Sequence, residues 1–231
     1  MKIWPYRLQS WLNLVFEAQC PLCQRSTAQV LCQDCDRQIQ DCRLPKPAQH
    51  WGNDVPLFAW GRYGGSLKRA IAALKYHHTP QLGHPMGLWM ADAWRRSPVA
   101  KERSLLVVPI PMYAEKQRQR GYNQAILLAQ GFCNGTGLPL AVEGLVRVRQ
   151  TEAQFGLSSD ERERNLADAF QVSPSLSRRS RRRAVLLLDD IYTTGATVRS
   201  AIGELRRQSI PLYGVVTLAQ ALATTRFPLD S

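Results

Sequence analysis

The sequence predicts an α/β domain with a mostly parallel sheet and flanking helices, preceded by a small module of four cysteines. Short apolar runs typical of buried strands alternate with segments of helical periodicity over most of the chain. Four of the six cysteines stand in two Cys-x-x-Cys pairs near the N-terminus. The length of 231 residues and the 45% hydrophobic content accommodate both parts, and they exclude a wholly disordered chain.

The first segment, ahead of the cysteines, has Trp4, Leu8 and Val15 at helical spacing, which predicts an amphipathic helix. The apolar run at residues 11–16 contains Asn13 and has no small-x-small cleavage pattern after it, so we do not interpret it as a signal peptide. No stretch reaches the roughly 18 apolar residues of a membrane span. We therefore expect a cytoplasmic protein, with cysteines that are thiols or metal ligands.

Two Cys-x-x-Cys pairs with eight residues between them define the N-terminal module, and they supply Cys20, Cys23, Cys32 and Cys35. Such pairs predict a closed, tetrahedral four-thiolate zinc site, which has a folding role because no coordination position stays open. A redox-active pair and an iron–sulfur cluster are the alternatives. Cys42 is an alternative ligand. Cys133 stands in an apolar helical pattern, so we expect it in the core.

The domain organisation follows from a change of pattern after the cysteines. Residues 1–45 form the N-terminal helix and the cysteine module, residues 46–57 a proline-containing linker, and residues 58–231 the α/β domain. In that domain the first strand begins near Phe58, and Ser66 is expected to cap a helix through Tyr76. Further helices are predicted at residues 81–96, 123–132 and 194–208. Further strands are predicted at residues 105–108, 145–148, 184–188 and 213–217.

Residues 149–165 are rich in Gln, Glu and Arg, and we expect a loop there that closes over a site and excludes water. A capping box at residues 158–161 predicts one helical turn within it. The candidate site residues of this closing loop are Gln154, Arg162 and Asn165. An exposed loop with no closing role is the alternative.

The most informative pattern is Asp-Asp-Ile-Tyr-Thr-Thr-Gly-Ala-Thr at residues 189–197, directly after an apolar strand. A helix that begins at the carboxyl end of a parallel strand offers free N–H groups to a phosphate. The threonines add hydroxyl donors, and Gly195 permits close backbone approach. Carboxylates repel phosphate but suit the cis hydroxyls of a ribose, so the pattern indicates a sugar 5-phosphate. Walker and dinucleotide fingerprints are absent, and an ordinary capped loop is the alternative.

This pattern closely resembles the phosphoribosyl pyrophosphate (PRPP) motif of type I phosphoribosyltransferases. The resemblance implies that Asp189 and Asp190 are catalytic residues that hold the ribose 2- and 3-hydroxyls, and that Mg²⁺ arrives with the pyrophosphate. The 5-phosphate would be bound by Thr193, Thr194, Gly195, Ala196 and Thr197. Some purine-base enzymes carry an acidic residue where this chain has Thr193. The difference argues against purine salvage and leaves amide, pyrimidine or other nitrogen acceptors open.

Three further segments resemble the ComF/GntX-like family, which is known from natural competence and DNA utilisation. They are Val-Pro-Ile-Pro with Arg-Gly-Tyr-Asn-Gln at residues 108–124, Thr-Glu-Ala-Gln-Phe-Gly-Leu-Ser at residues 151–158, and Leu-Lys-Tyr at residues 74–76. With the cysteine pairs, the resemblance runs from Cys20 to about Thr217. Within the first segment, Lys116, Arg118 and Arg120 form a plausible pyrophosphate site, because a departing anion requires cations. A solvated basic loop is the alternative.

The formal net charge of +12, mostly from arginine, indicates an anionic partner or a solvated basic face. A basic cluster stands just before the motif strand and consists of Arg178, Arg179, Arg181, Arg182 and Arg183. It predicts a contact with nucleic-acid phosphates or a charged loop, without base stacking because no aromatic residue interrupts it.

Two functions therefore compete. The first is a PRPP-binding phosphoribosyltransferase that transfers the phosphoribosyl group to a nitrogen acceptor and releases pyrophosphate. The second is a non-catalytic or PRPP-responsive accessory protein that binds single-stranded DNA in natural transformation, with competence or recombination proteins as partners. The sequence argues against a glutamine-hydrolysing amidotransferase, because an N-terminal nucleophilic cysteine is missing.

Overall fold

The structure is a computed structural model that describes residues 18–102, 104–149 and 169–221. The predicted N-terminal helix and the closing loop, with Gln154, Arg162, Asn165 and the capping box, lie outside the described residues. The described chain begins with β1 (Ala18–Gln19), which pairs antiparallel with β2 (Ser26–Thr27), and helix α1 (Gln33–Gln40) follows. The cysteine module is built on these three elements.

Four parallel strands form the central sheet in the order β3-β8-β7-β4. Their bounds are Leu57–Arg62 for β3, Leu105–Pro109 for β4, Ala184–Tyr192 for β7 and Leu212–Gln220 for β8. A separate antiparallel pair is made by β5 (Leu145–Arg147) and β6 (Phe170–Val172). The predicted fold class, a parallel sheet with flanking helices and an N-terminal cysteine cluster, is confirmed.

Six further helices belong to the described part of the α/β domain. They are α2 (Gly65–Tyr76), α3 (Gly83–Arg95), α4 (Ala114–Arg120), α5 (Gln124–Thr136), α6 (Pro174–Arg179) and α7 (Ala196–Arg207). Helices α2, α3, α5 and α7 were predicted, whereas α4 and α6 were not. Ser66 does not cap α2, since the N-cap residue is Gly64 and the Ser66 hydroxyl donates to Gln38 Oε1 at 3.1 Å. No helix in the three described ranges is long and apolar enough to cross a membrane.

The core lies on both faces of the sheet, as the alternation of β7 requires. Leu186 and Leu188 pack on the face that α2, α3 and α5 cover. Val185 and Leu187 pack on the face that α7 and the β5–β6 pair cover. Both faces of this central strand are therefore dry, which explains its continuous apolar run.

The predicted linker at residues 46–57 packs against the sheet. The Trp51 ring lies 5.6 Å from the Trp94 ring and 5.2 Å from the Tyr213 ring, measured between centroids. His50 also forms a bridge with Leu57 at the start of β3. The domain boundaries remain a prediction, but this segment adds aromatic packing to the core.

Strand β7 is longer than the sequence predicted. The sequence predicted a buried strand over residues 184–188 that ends in the two carboxylates and is followed by a short loop, yet β7 continues to Tyr192. The reason is that β8 also continues, and it pairs Asp189 with Thr217 and Ile191 with Ala219. Both aspartates of the motif consequently lie inside a strand.

Candidate phosphate and ribose site

The two adjacent aspartates of the motif point to opposite faces of the sheet, because successive side chains alternate along a strand. Asp190 shares the face of Leu188 and meets α2. Asp189 shares the face of Leu187 and borders the loop that follows β7. The two carboxylates therefore have different surroundings although they are neighbours in sequence.

Asp190 is buried and pairs with a cation from a remote helix. Lys75 Nζ of α2 lies 2.6 Å from Asp190 Oδ2, and the two side chains are 18% and 6% exposed. Burial acts to lower the pKa of Lys75, but the charge of Asp190, with that of Asp189 behind it, outweighs burial and raises this pKa. Lys75 is thus held as an ammonium ion.

Asp189 is the carboxyl group that lines the pocket. Burial and the neighbouring charge of Asp190 raise its pKa well above the usual aspartate range. Its Oδ1 accepts a hydrogen bond from the Asp190 backbone N–H at 2.8 Å. On the same face, Arg147 of β5 lies with its guanidinium carbon 5.6 Å from the Phe170 ring centroid, where burial lowers its pKa and the charge of Asp189 opposes that effect.

A short loop joins β7 to α7, and the pocket bordered by Asp189 is lined by its residues 193–195 and the first turn of α7. Gly195 is the N-cap residue and has a φ of 77°, in the left-handed region that favours glycine. A Cβ there would lie 2.3 Å from Tyr192 Oη, so the close packing also requires glycine. The loop therefore presents the start of α7 to the pocket, where the Ala196 N–H donates to Thr194 Oγ1 at 3.4 Å.

Sequence reasoning missed Arg199, which stands one turn into α7. Its Nη1 donates to the Thr194 carbonyl oxygen at 2.9 Å, so this side chain folds back over the loop. A cation beside a candidate phosphate site suits an anion electrostatically. The signal available in the sequence was its spacing of four residues from Gly195, which places it above the N-cap on a helix.

The segment after β4 meets the end of α2. Tyr122 Oη donates to the Leu74 carbonyl oxygen at 2.6 Å. The Arg120 guanidinium carbon lies 5.5 Å from the Tyr76 ring centroid, and this arginine also hydrogen-bonds the Gln124 side chain. Since Lys75 pairs with Asp190, the last turn of α2 brings the three motif segments at residues 74–76, 120–124 and 189–197 together.

The other two predicted pyrophosphate residues lie on the exposed helix α4. Arg118 pairs with Glu115 at 2.7 Å, and the arginine lowers the pKa of that glutamate. Lys116 is exposed on the same helix. Of the three predicted cations, the structure brings Arg120 against α2 and leaves Lys116 and Arg118 at the surface.

The four cysteines of the module come together. One Sγ atom from each of Cys20, Cys23, Cys32 and Cys35 lies within 4.8 Å of the others, and Cys23 Sγ is 3.5 Å from Cys32 Sγ. Zinc–sulfur bonds of about 2.3 Å in a tetrahedron require sulfur atoms about 3.8 Å apart, so the group fits a zinc ion. A hydrogen bond from the Arg25 backbone, with its side chain, lowers the pKa of Cys23 to about 6.

The two remaining cysteines lie apart from this group. Cys42 Sγ donates to the carbonyl oxygens of Gln38 and Gly64, at 3.6 and 3.7 Å. Cys133 packs against the core, and burial raises its pKa to about 12. Neither is among the cysteines that the described structure brings together as candidate ligands.

The basic cluster at residues 178–183 lies on α6 and a following 3-10 turn, and its five arginines are exposed. Arg179 Nη2 donates to the Leu140 carbonyl oxygen at 2.9 Å. The cluster precedes the amino end of β7, whereas the motif loop follows the carboxyl end. With about 3.3 Å per residue, β7 separates the two sites by about 30 Å.

Comparison with known proteins places the chain among competence proteins. It is 30% identical to Competence protein F of Haemophilus influenzae over 208 residues, covering 83% of this chain and 90% of that protein. It is 26% identical to DNA utilization protein YhgH of Escherichia coli over 88% and 90% of the two chains. It is 24% identical to Competence protein ComFC of Bacillus subtilis over 85% and 75%. No family model matches.

Two solved structures are similar at a low level. Glutamine PRPP amidotransferase from B. subtilis gives a TM-score of 0.37 at 18% identity, over 59% of this chain and 26% of that one. Adenine phosphoribosyltransferase from Leishmania tarentolae gives 0.36 at 10% identity, over 73% and 78%.

The fold and the site together define an α/β protein with an acidic strand end, a glycine-bearing loop at a helix N-terminus and a four-cysteine module. Its similarity to Competence protein F extends over most of both chains. The chain belongs to the competence protein F family.

Proposed function

We propose that this protein binds PRPP and transfers its phosphoribosyl group to a nitrogen acceptor, with release of pyrophosphate. The observation that carries this proposal is the loop at residues 193–195, which joins β7 to α7 directly beside Asp189. A helix N-terminus for a phosphate and a carboxyl group for sugar hydroxyls then stand side by side. The type I phosphoribosyltransferase resemblance of residues 189–197 supports the same ligand.

In this proposal the 5-phosphate occupies the pocket at the start of α7. The backbone N–H groups of the first turn and the threonine hydroxyls at positions 193, 194 and 197 donate to its oxygens. Gly195 keeps the loop open to the phosphate, because any Cβ would point into Tyr192. Arg199 adds positive charge from the far side of the loop.

The ribose hydroxyls are bound by the two aspartates of the motif. Asp189 borders the pocket, and Asp190 reaches the same strand end from the opposite face, where Lys75 holds it. The pyrophosphate is assigned to the segment after β4, where Arg120 lies against the end of α2 and Lys116 and Arg118 are exposed on α4. Magnesium bound to the pyrophosphate would add charge neutralisation there.

The transfer balances without a redox partner. A lone pair on the acceptor nitrogen forms a bond to ribose C1, and the bond from C1 to the pyrophosphate oxygen breaks with its electrons leaving on pyrophosphate. The proton of the acceptor nitrogen passes to solvent or to a basic group. The contribution of the protein is orientation and electrostatic stabilisation. The closing-loop residues Gln154, Arg162 and Asn165 remain predicted contributors.

A second candidate function is single-stranded DNA binding in natural transformation. The observation that supports it is the exposed arginine cluster at residues 178–183, which lies at the opposite end of β7 from the phosphate loop. Relatives named for competence and DNA utilisation favour a DNA-linked role. Because the two surfaces are separate, one protein has room for both functions.

The cysteine module is proposed as a structural zinc site. The four thiols fit a tetrahedral ion, and they use every coordination position, so its contribution would be to folding. Arg25 lies beside the cysteines, where it pairs with Asp34 at 2.7 Å and donates to Cys23 Sγ at 3.5 Å.

The test of the catalytic proposal is pyrophosphate release from magnesium-PRPP, screened against amide, amine and heterocyclic nitrogen acceptors. Calorimetry with magnesium-PRPP in the absence of acceptor gives the binding step by itself. Heat of binding and acceptor-dependent pyrophosphate support transfer. Binding without release under every acceptor favours the PRPP-responsive accessory protein, and no heat at all contradicts the proposal.

A further inference from the structure

Lys75 stands outside the acidic motif at residues 189–197 and was not among the predicted site residues, yet it is the cation that Asp190 contacts. The distance from Nζ to Asp190 Oδ2 is 2.6 Å, and both side chains are largely buried. An ammonium ion placed in so dry a position costs desolvation energy, which a partner must offset. The charge of Lys75 is therefore stabilised by its ion pair with Asp190.

The turn that carries Lys75 is anchored on both sides. Its preceding residue, Leu74, is fully buried, and the Leu74 carbonyl oxygen accepts the Tyr122 hydroxyl at 2.6 Å. Its following residue, Tyr76, has the Arg120 guanidinium 5.5 Å from its ring. These contacts fix the end of α2, so the ammonium group is aimed at Asp190 before any ligand arrives.

We propose that Lys75 is a positioning residue of the PRPP site: it fixes Asp190 through one carboxylate oxygen, so that the other oxygen accepts a ribose hydroxyl. This inference rests on the proposed function. Its physical basis is that a carboxylate has two oxygens, and Lys75 occupies Oδ2. Without the ammonium group, the side chain of Asp190 loses its fixed orientation and its counter-charge together.

The groups around this ion pair come from four parts of the fold. Asp189 of β7 and Tyr76 of α2 act on the charge of Lys75, whereas Tyr122 and Arg120, from the segment after β4, contact the residues on either side of it. Arg147 of β5 interacts with Asp189 on the other face of the sheet. The two aspartates, and Tyr76 after them, raise the pKa of Lys75 against the effect of burial. If Asp190 is removed, the main cause that raises the pKa of Lys75 is lost, and burial should lower this pKa.

The first experiment reads the ion pair in the free protein. The Lys75 side chain is titrated by NMR in the wild type and in Asp190→Asn. In the wild type we expect a midpoint above the ordinary lysine value of about 10.4, and in the variant a clear downward shift. An unchanged midpoint in Asp190→Asn means that the two groups are not coupled, which overturns the inference.

The second experiment measures magnesium-PRPP binding by calorimetry in Lys75→Met, Lys75→Arg and Lys68→Met. Lys68 is an exposed lysine of the same helix, 5.9 Å over the Tyr63 ring, so its variant is the control for the loss of one charge. We expect affinity to fall at least about tenfold in Lys75→Met, to recover in large part in Lys75→Arg, and to stay unchanged in Lys68→Met. If Lys75→Met does not fold, Lys75→Gln replaces it.

A folded Lys75→Met protein that binds PRPP as tightly as the wild type overturns the inference and leaves the proposed function intact. Equal losses in Lys75→Met and Lys68→Met overturn it too, since the effect would then be general charge. A wild type that binds no PRPP overturns the proposed function, and the inference falls with it.

Discussion

Lys75 of α2 and Asp190 of β7 form a buried ion pair of 2.6 Å that joins the two halves of the chain. One partner belongs to a short Leu-Lys-Tyr segment and the other to the acidic motif, two features that the sequence presents separately. The same turn of α2 also accepts the Tyr122 hydroxyl. The candidate site is thus assembled around the end of one helix.

The ionised form of the pocket carboxyl group, Asp189, destabilises the folded protein. Its pKa is raised in the folded state, so the folded protein binds the proton more tightly than the unfolded chain does. Stability is therefore lost as pH rises from about 4 through the raised folded-state pKa. Asp189→Asn should be more stable than the wild type at pH 7.5 in urea unfolding, with little difference near pH 4, and should lose PRPP binding. A variant less stable at pH 7.5 would contradict this.

Gly195 should tolerate no side chain. In Gly195→Ala the new methyl group would stand 2.3 Å from Tyr192 Oη, at a φ of 77° that alanine disfavours. We expect a loss of about 1–3 kcal/mol in unfolding free energy and weaker phosphate binding. Gly203→Ala is the control on the same helix, because its Cβ would meet nothing within 4 Å. That control should gain up to about 1 kcal/mol, as expected for a helix interior.

Helices α3 and α5 approach each other at glycines. A Cβ on Gly87 would lie 2.2 Å from the Leu128 carbonyl oxygen, and one on Gly131 would lie 2.2 Å from the His84 carbonyl oxygen. Since backbone atoms cannot move aside cheaply, Gly87→Ala should destabilise the protein by at least about 1–3 kcal/mol. Thermal unfolding measures this, and a melting temperature equal to that of the wild type would show that the helices are not so close.

The cysteine group should bind one zinc ion per chain and depend on it for folding. Mercurial release with a colorimetric zinc indicator should give one equivalent from the wild type and much less from Cys32→Ser. Cys42→Ser is the matched control, because Cys42 lies outside the group. This variant should retain the full equivalent of zinc. Full zinc content in Cys32→Ser would argue against a four-thiolate site, and a loss in Cys42→Ser would bring that residue back as a ligand.

The arginine cluster should act on DNA and not on PRPP. Replacement of Arg181, Arg182 and Arg183 by Gln should weaken the gel shift of single-stranded DNA. The affinity should also depend less steeply on salt concentration, because fewer phosphate contacts mean that fewer counterions are released on binding. PRPP binding should stay unchanged, since about 30 Å of strand separates the two surfaces. A wild-type shift that is absent or insensitive to salt would contradict DNA binding by this cluster.

Much of this protein could be predicted from local pattern. Apolar runs identified β4 and β7, helical periodicity identified α3 and α5, and the spacing of the cysteines predicted that they meet. Each of these signals depends on neighbours within a few residues, which is the range over which strand alternation, helix periodicity and Cys-x-x-Cys turns operate.

The length of β7 was harder to predict from the sequence. The apolar run predicted that the strand ends at the two carboxylates, but pairing with β8 continues the strand through Tyr192. That pairing depends on a partner that begins at Leu212, so no pattern within residues 184–192 contains it. Helix α4 was missed for a similar reason, since its exposed basic sequence has no apolar face to reveal a helix.

Local pattern was enough to predict the α/β class, the cysteine pairs and the acidic, glycine-bearing motif. The packed fold was needed to show that Asp189 and Asp190 face opposite ways, that Lys75 is the partner of one of them, and that the arginine cluster lies at the far end of β7. The two kinds of feature differ in the distance along the chain over which they are specified. Spacing along the chain governs local geometry, whereas contacts between remote residues depend on the order of strands in the sheet and on the packing of α2 across it.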